Sequence, residues 1–296
     1  MSNRNCFLFF FSENVCKYAV FISSCYTRKI IFVYNLHNSE NFRTFVAKYV
    51  LPMQPYKAIF LDWDDTIGDF SRSATCALTT MFEIHQLYRY TDYDTFFRYY
   101  TEHNTLLWEQ YGRDEVTKDL LKIDRFIYPL IHACGLEENS ETRVLARRMC
   151  EDFLRMTNHF FSIIPDADKM VKTLAAYYPL TIVSNGFVES QYFKLRKSGL
   201  EPFFTHVVLS EEVGAQKPNP LIYQEALRIN GLSADEVVMI GDSYTSDVEG
   251  ARAAGIDQMW FRRTDTPLTD GQTATYIVNN YRQITDILAA GKWVAR

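Results

Sequence analysis

The chain has 296 residues, 47% hydrophobic and 23% charged, enough for one large domain or two modest ones with a sizeable core. A net charge of -5 excludes a broad basic surface for a nucleic-acid polymer, though not a local basic pocket for a small anion. No run reaches the ~18 apolar residues of a membrane span. The six cysteines (Cys6, Cys16, Cys25, Cys76, Cys134 and Cys150) form neither a CxxC pair nor a metal-like cluster with histidine, so reduced thiols in a cytoplasmic protein are expected.

In chain order, residues 1–52 come first. They hold no glycine, three of the six cysteines and little clear periodicity. The apolar run Cys6 to Phe11 stops at Ser12-Glu13-Asn14, too short for the apolar region of a signal peptide. Met53 stands directly before a strand-like segment. The expectation is a natural start at Met53, with residues 1–52 an extension of doubtful order.

From Met53 the pattern is regular. Tyr56 to Leu61 is a short apolar run that reads as a buried strand. Further strands are expected at Leu180–Ser184, His206–Leu209, Val237–Ile240, Met259–Phe261 and Tyr276–Val278. Helices are expected at Ala167–Tyr177, Val188–Ser198, Pro220–Asn230 and Thr245–Ala254. Gly199, Gly231 and Gly255 follow three of these, where a left-handed cap favours glycine. Strands alternating with helices imply an α/β fold, a parallel sheet covered on both faces.

Between Ser71 and Phe161 the alternation breaks, and about four helices take its place. The third carries the stripe Leu120, Ile123, Ile127, Leu130, Ile131 and Cys134. The fourth carries Leu145, Met149, Phe153, Met156 and Phe160. The layout is therefore 53–70 and 162–296 as an α/β core, with a helical bundle over 71–161 inserted after the first strand.

Four short motifs carry chemistry. The first strand ends in Asp62-Trp63-Asp64-Asp65-Thr66. Ligands of open α/β sheets sit at the carboxyl ends of strands, and clustered carboxylates there are costly unless a cation joins them. Mg²⁺, which takes oxygen ligands and keeps some waters, suits such a cluster. Val183-Ser184-Asn185-Gly186 offers a hydroxyl and free backbone N–H groups, a phosphate-sized site. Lys217 lies in Gln216-Lys217-Pro218-Asn219-Pro220, a loop stiffened by two prolines. Ile240-Gly241-Asp242 ends another strand, and Asp247 follows one turn on as a support or a helix-terminal cap.

This combination resembles the haloacid dehalogenase superfamily of phosphohydrolases, from about Tyr56 to the C-terminus. Leu107-Trp108-Glu109-Gln110-Tyr111, Asn185-Gly186-Phe187 and the run Ser210 to Pro220 are similar to its pyrimidine 5'-nucleotidase (house-cleaning) branch. The resemblance implies a Rossmann-like three-layer core and a helical cap. It implies Asp62 as nucleophile and Asp64 as acid and base. A Mg²⁺ would be held by Asp62, the Asp64 main chain and Asp242, supported by Asp247. Thr66, Ser184, Asn185, Gly186 and Lys217 would hold phosphate. Phe187, Trp108 and Asn104 are candidate substrate contacts. Tyr111 and Arg125 are weaker candidates, Arg125 reading rather as a surface or salt-bridge residue. The expected substrate is a small phosphorylated metabolite, a nucleoside 5'-monophosphate first, with phosphoglycolate or a sugar phosphate as the alternative. A phosphomutase shares the motifs. A dehalogenase would need neither Asp64 nor a metal, and a non-catalytic binding module would be expected to lack a motif. A monomer or small homo-oligomer, with no membrane partner, completes the expectation.

Overall fold

In a computed structural model, residues 6–10, 18–25, 28–35, 56–113, 115–263, 268 and 271–289 are described, with side-chain surroundings from residue 56 onward. Met53 and the proposed start lie outside them. The chain forms two compact units, 1–55 and 56–296.

The first unit contains three strands, β1 (Cys6–Phe10), β2 (Tyr18–Cys25) and β3 (Arg28–Asn35). They pair as an antiparallel meander, Cys6 opposite Ser23 and Tyr18 opposite Asn35. The sequence reading did not foresee these strands. Their apolar residues come in continuous runs rather than in alternation, so the period-2 signal is weak.

The second unit is built on β4 (Ala58–Leu61), β5 (Leu180–Ser184), β6 (His206–Leu209), β7 (Val237–Gly241), β8 (Asp257–Phe261) and β9 (Tyr276–Val278). All six are parallel, in the order β6-β5-β4-β7-β8-β9. Every residue of β4, β5 and β7 is buried, as a sheet covered on both faces requires. After β4 the chain adds β5 and β6 on one side and β7 to β9 on the other. The order therefore reverses at β4, and β4, β5 and β7 end side by side at the crevice where such sheets bind ligands. One apolar cluster packs Ile59, Leu61 and Ile240 with Val171 and Ile284; another packs Phe60, Val183 and Met239 with Tyr223.

Helices α1 (Phe70–Ile84), α2 (Tyr93–Gly112), α3 (Lys118–His132) and α4 (Ser140–His159) follow β4. Asp92, Thr117 and Asn139 cap the last three by accepting backbone N–H bonds. The four helices share their own apolar cluster, with Met81, Phe96, Phe126, Leu130, Met149 and Phe153 at its centre. The α4 stripe is as expected. The α3 stripe is displaced: Leu120 is exposed, whereas Leu121, Arg125 and Phe126 are buried. Leu121 turns instead to a small cluster with Leu107 and Phe187.

The remaining helices are α5 (Ala167–Ala175), α6 (Val188–Ser198), α7 (Ser210–Val213), α8 (Pro220–Asn230), α9 (Gly250–Ala253) and α10 (Tyr281–Ala289). Gly199 and Gly231 close α6 and α8 with φ of 70° and 65°. The helix expected over Thr245–Ala254 is split. Tyr244–Glu249 is a wider π turn before α9 begins, a distortion that gathers at functional sites. Among the described residues no helix is long and apolar enough to cross a membrane. Cys76, Cys134 and Cys150 are free thiols.

Candidate active site

A cavity of about 220 Å³ opens at the carboxyl ends of β4 and β5. One wall comes from the sheet edge: Asp62, Asp64, Ser184, Asn185, Gly186, Lys217 and Asp247. The facing wall comes from the helices: Phe70, Trp108, Arg125, Phe153, Leu154 and Thr157. Phe187, Gln191 and Lys194 complete it.

Lys217 organises the sheet edge. Its Nζ donates to Asp62 Oδ1 at 2.6 Å and to Asp247 Oδ1 at 2.7 Å, all three residues being buried. The loop carrying it is pinned by Asn185, whose amide donates to the Lys217 carbonyl at 2.8 Å and accepts from the Lys217 N–H at 2.7 Å. Asn185 thus anchors the lysine backbone, a role that its place in a turn motif did not reveal. The second oxygen of Asp247 accepts the Ser243 N–H at 3.0 Å, so this aspartate both caps the π turn and grips Lys217. Gly241 makes that possible, because a Cβ there would sit 2.2 Å from the Asp247 carboxylate.

Asp62, Asp242 and Asp247 bring carboxylate oxygens within 4.8 Å of one another. Burial pushes the Asp62 carboxyl up to about 7; Lys217 pulls the other way and Asp247 adds to the rise. Burial, then repulsion from Asp62 and Asp247, pushes Asp242 up to about 8. Burial alone would pull the Lys217 ammonium down, but Asp247 and Asp62 outweigh it and hold it above its ordinary value. Three carboxylates thus share one lysine. Each unit-charge repulsion at about 4 Å is worth ~4 kcal/mol at an effective dielectric of 20. A divalent cation with oxygen ligands fits this surplus of negative charge, and Asp62 and Asp242 are the residues that could hold it.

The other expected site residues are distributed as follows. Ser184 accepts the Gly186 N–H through its hydroxyl at 3.2 Å, folding a small cradle at the end of β5. The Thr66 hydroxyl is fully buried and donates to Asp242 at 3.3 Å, and Thr66 is not among the residues lining the cavity. Asp64 lines the cavity and is held by Lys194 at 2.8 Å and Gln191 at 2.7 Å. Trp108 and Phe187 stack with ring centres 5.2 Å apart and both line the cavity. Asn104 is not among the lining residues, although its Oδ1 is buried without a hydrogen-bond partner. Arg125 corrects the surface reading: it is 3% exposed and lines the cavity.

Sequence reasoning passed over Gln191 and Lys194. With Phe187 they stand at i, i+4 and i+7 along α6, which puts them on one helix face. A buried Gln and Lys on that face was the available signal. Gly186 lets Gln191 lie across the backbone, since a Cβ would meet its amide nitrogen at 1.6 Å.

A parallel sheet reversed at β4, an aspartate just past β4, a hydroxyl cradle after β5 and a lysine shared by two aspartates are the marks of one hydrolase class. A profile of the haloacid dehalogenase-like hydrolases matches residues 56–255. The chain is 30% identical to the HAD-hydrolase YfnB of Bacillus subtilis, over 80% of this chain and 97% of that protein. It is 30% identical to the pyrimidine 5'-nucleotidase PynA of Streptococcus pneumoniae, over 79% and 95% of the two chains. The crystal structure of YfnB bound to magnesium superposes with a TM-score of 0.67 at 29% identity, over 79% of this chain and 98% of that one. The chain therefore belongs to the haloacid dehalogenase-like hydrolase family, as its motifs led us to expect. Its relatives also include the pyrimidine 5'-nucleotidase YjjG of Escherichia coli, 28% identical over 78% of this chain and 96% of that one, so the class is that of phosphoric monoester hydrolases.

Proposed function

We propose that this chain is a Mg²⁺-dependent phosphatase that hydrolyses small phosphate monoesters through an aspartyl-phosphate on Asp62, with a pyrimidine nucleoside 5'-monophosphate as substrate. The observation that carries this reading is the buried Lys217, bonded at once to Asp62 and Asp247 at the floor of a cavity that also holds Ser184 and Gly186. In this reading residues 53–70 and 162–296 form a catalytic core and residues 71–161 a helical cap.

Asp62 and Asp242 would hold the cation, with the Asp64 main chain, and Asp247 would support them. When bound, Mg²⁺ would supply positive charge that offsets the repulsion of the nucleophile and the phosphate. Asp62 attacks phosphorus; the ester oxygen leaves with a proton from Asp64. Asp64 then takes a proton from water, which attacks the aspartyl-phosphate and returns free Asp62. Ser184, the Asn185 and Gly186 N–H groups and Lys217 stabilise the phosphate oxygens. Thr66 contributes by fixing Asp242. Gln191 and Lys194 fix the Asp64 side chain at the cavity wall.

The stacked pair Trp108 and Phe187 offers an aromatic face to a base, and two nucleotidase relatives support that choice. A second reading, a sugar-phosphate substrate, is supported by a glyceraldehyde 3-phosphate phosphatase of Pyrococcus furiosus, 27% identical over 80% of this chain and 94% of that protein. Ranking kcat/KM over nucleoside monophosphates, sugar phosphates and phosphoglycolate decides between them. The nucleotidase reading expects UMP, CMP or dTMP first; sugar phosphates ranking equal or higher would overturn it.

A further inference from the structure

Among the described residues Arg125 has no counter-charge. It sits on α3, 3% exposed, and among the described residues no carboxylate lies within ion-pairing distance. Its Nε donates to the Lys122 carbonyl at 3.3 Å and its Nη2 reaches the Cys150 sulfur at 3.9 Å. The Tyr100 hydroxyl is a third hydrogen-bond partner of the guanidinium. Its guanidinium lies over the rings of Phe153 and Phe126, at 4.7 and 5.2 Å from their centres. Cation–π contact offsets part of the lost hydration, but a guanidinium carries five N–H donors, and a carbonyl, a sulfur and a phenol hydroxyl fill at most three of them. A buried charge left in that state is costly unless something completes its hydrogen bonds. The same side chain lines the active-site cavity, on the wall facing Asp62 and Ser184.

We propose that Arg125 is a specificity-determining residue that binds an acceptor oxygen on the part of the substrate remote from the phosphate. The inference rests on the proposed phosphatase site. With the phosphate at Asp62, the rest of the ester extends toward the helical wall, where Trp108 and Phe187 give a flat apolar surface and Arg125 gives unfilled donors. The ligand chemistry is an oxygen acceptor, either a ring carbonyl, as on a pyrimidine, or a carboxylate, as on a phosphorylated organic acid. An exocyclic amine, as on adenine, would present donor to donor at this point and be rejected.

The test compares wild type with Arg125→Met and Arg125→Lys on UMP, on phosphoglycolate and on phenyl phosphate, whose ring has no acceptor. Arg125→Met should lower the kcat/KM ratio of the acceptor-bearing ester to phenyl phosphate by about 10–100-fold, the effect of losing a hydrogen bond to a charged donor. The loss should appear in KM, with partial recovery in Arg125→Lys. A fall confined to UMP identifies a ring carbonyl, and a fall confined to phosphoglycolate identifies a carboxylate. The second result leaves the Arg125 inference standing while removing the nucleotidase reading. Equal losses on all three esters, or an unchanged ratio, would overturn the inference. Circular dichroism and the melting temperature report folding in every variant.

Discussion

The two walls of the cavity differ in how completely their polar groups are satisfied. On the sheet edge, Lys217, Asp62, Asp247, Asn185 and Ser243 form a closed set of bonds, most of them to rigid strand ends and stiffened loops. On the helical wall, Arg125 reaches only a carbonyl, a sulfur and the Tyr100 hydroxyl, fewer partners than its five N–H groups. The contrast separates labour. Chemistry that is the same for every ester is prepared in advance, and recognition that varies with the ester is left open for the ligand to complete.

This contrast can be broken experimentally. Variants on the sheet edge should depress every ester, graded at most by leaving-group ability, whereas variants on the helical wall should change the ranking by the shape and polarity of the leaving group. The largest effect is expected from Asp62→Asn, which should reduce Mg²⁺-dependent turnover of p-nitrophenyl phosphate to background, because an amide is a poor nucleophile. Asp64→Asn should lose roughly 10²–10⁴-fold in kcat on every ester, the usual share of acid–base catalysis. Esters with good leaving groups should suffer least, and equal loss on nitrophenyl and alkyl esters would argue against Asp64 as the acid. Lys217→Met leaves two buried carboxylates facing each other; loss of one partner from a buried pair costs about 3–5 kcal/mol, measurable from urea unfolding. Trp108→Ala should raise KM for nucleoside monophosphates by the equivalent of roughly 1–3 kcal/mol of stacking and leave the smaller sugar phosphates nearly unaffected.

A further effect concerns pH. In metal-free protein the buried Asp62 and Asp242 carboxyls keep protons up to about 7 and about 8, while the unfolded chain releases them near 3.8. The folded state then binds more protons than the unfolded state across that window, so stability falls as pH rises through it. Adding Mg²⁺ should raise the melting temperature, and more so at the upper end of the window. A metal-free melting temperature that climbs from pH 5 to pH 8 would show that these carboxyls are not held in the protonated form.

The two walls also differed in how far the sequence announced them. The sheet edge was legible because its residues are tied to strand ends: Asp62 follows β4, Ser184 closes β5 and Asp242 follows β7, and strands in a parallel sheet are read from short apolar runs. Lys217 was legible through its stiff flanking prolines. The helical wall was not, since which face of a helix meets a neighbour depends on packing. Leu120 took the place of Leu121 in the expected stripe, and Arg125 was read as exposed although it is buried. The contact of the Thr66 hydroxyl with Asp242 was hidden for a related reason: proximity in sequence to Asp62 says nothing of which strand end the hydroxyl meets. The π turn over Tyr244–Glu249 was hidden too, because it arises from Asp247 reaching Ser243 and Lys217 rather than from local propensity.

The central claim is that Asp62 carries the phosphoryl group. Rapid acid quench during turnover of p-nitrophenyl phosphate with Mg²⁺, followed by borohydride reduction and peptide mass mapping, tests it directly. The account predicts a reduced aspartate at Asp62 alone, in step with release of the first equivalent of nitrophenol. Trapping at a different residue, or a full burst of product with Asp62 unmodified, would contradict it.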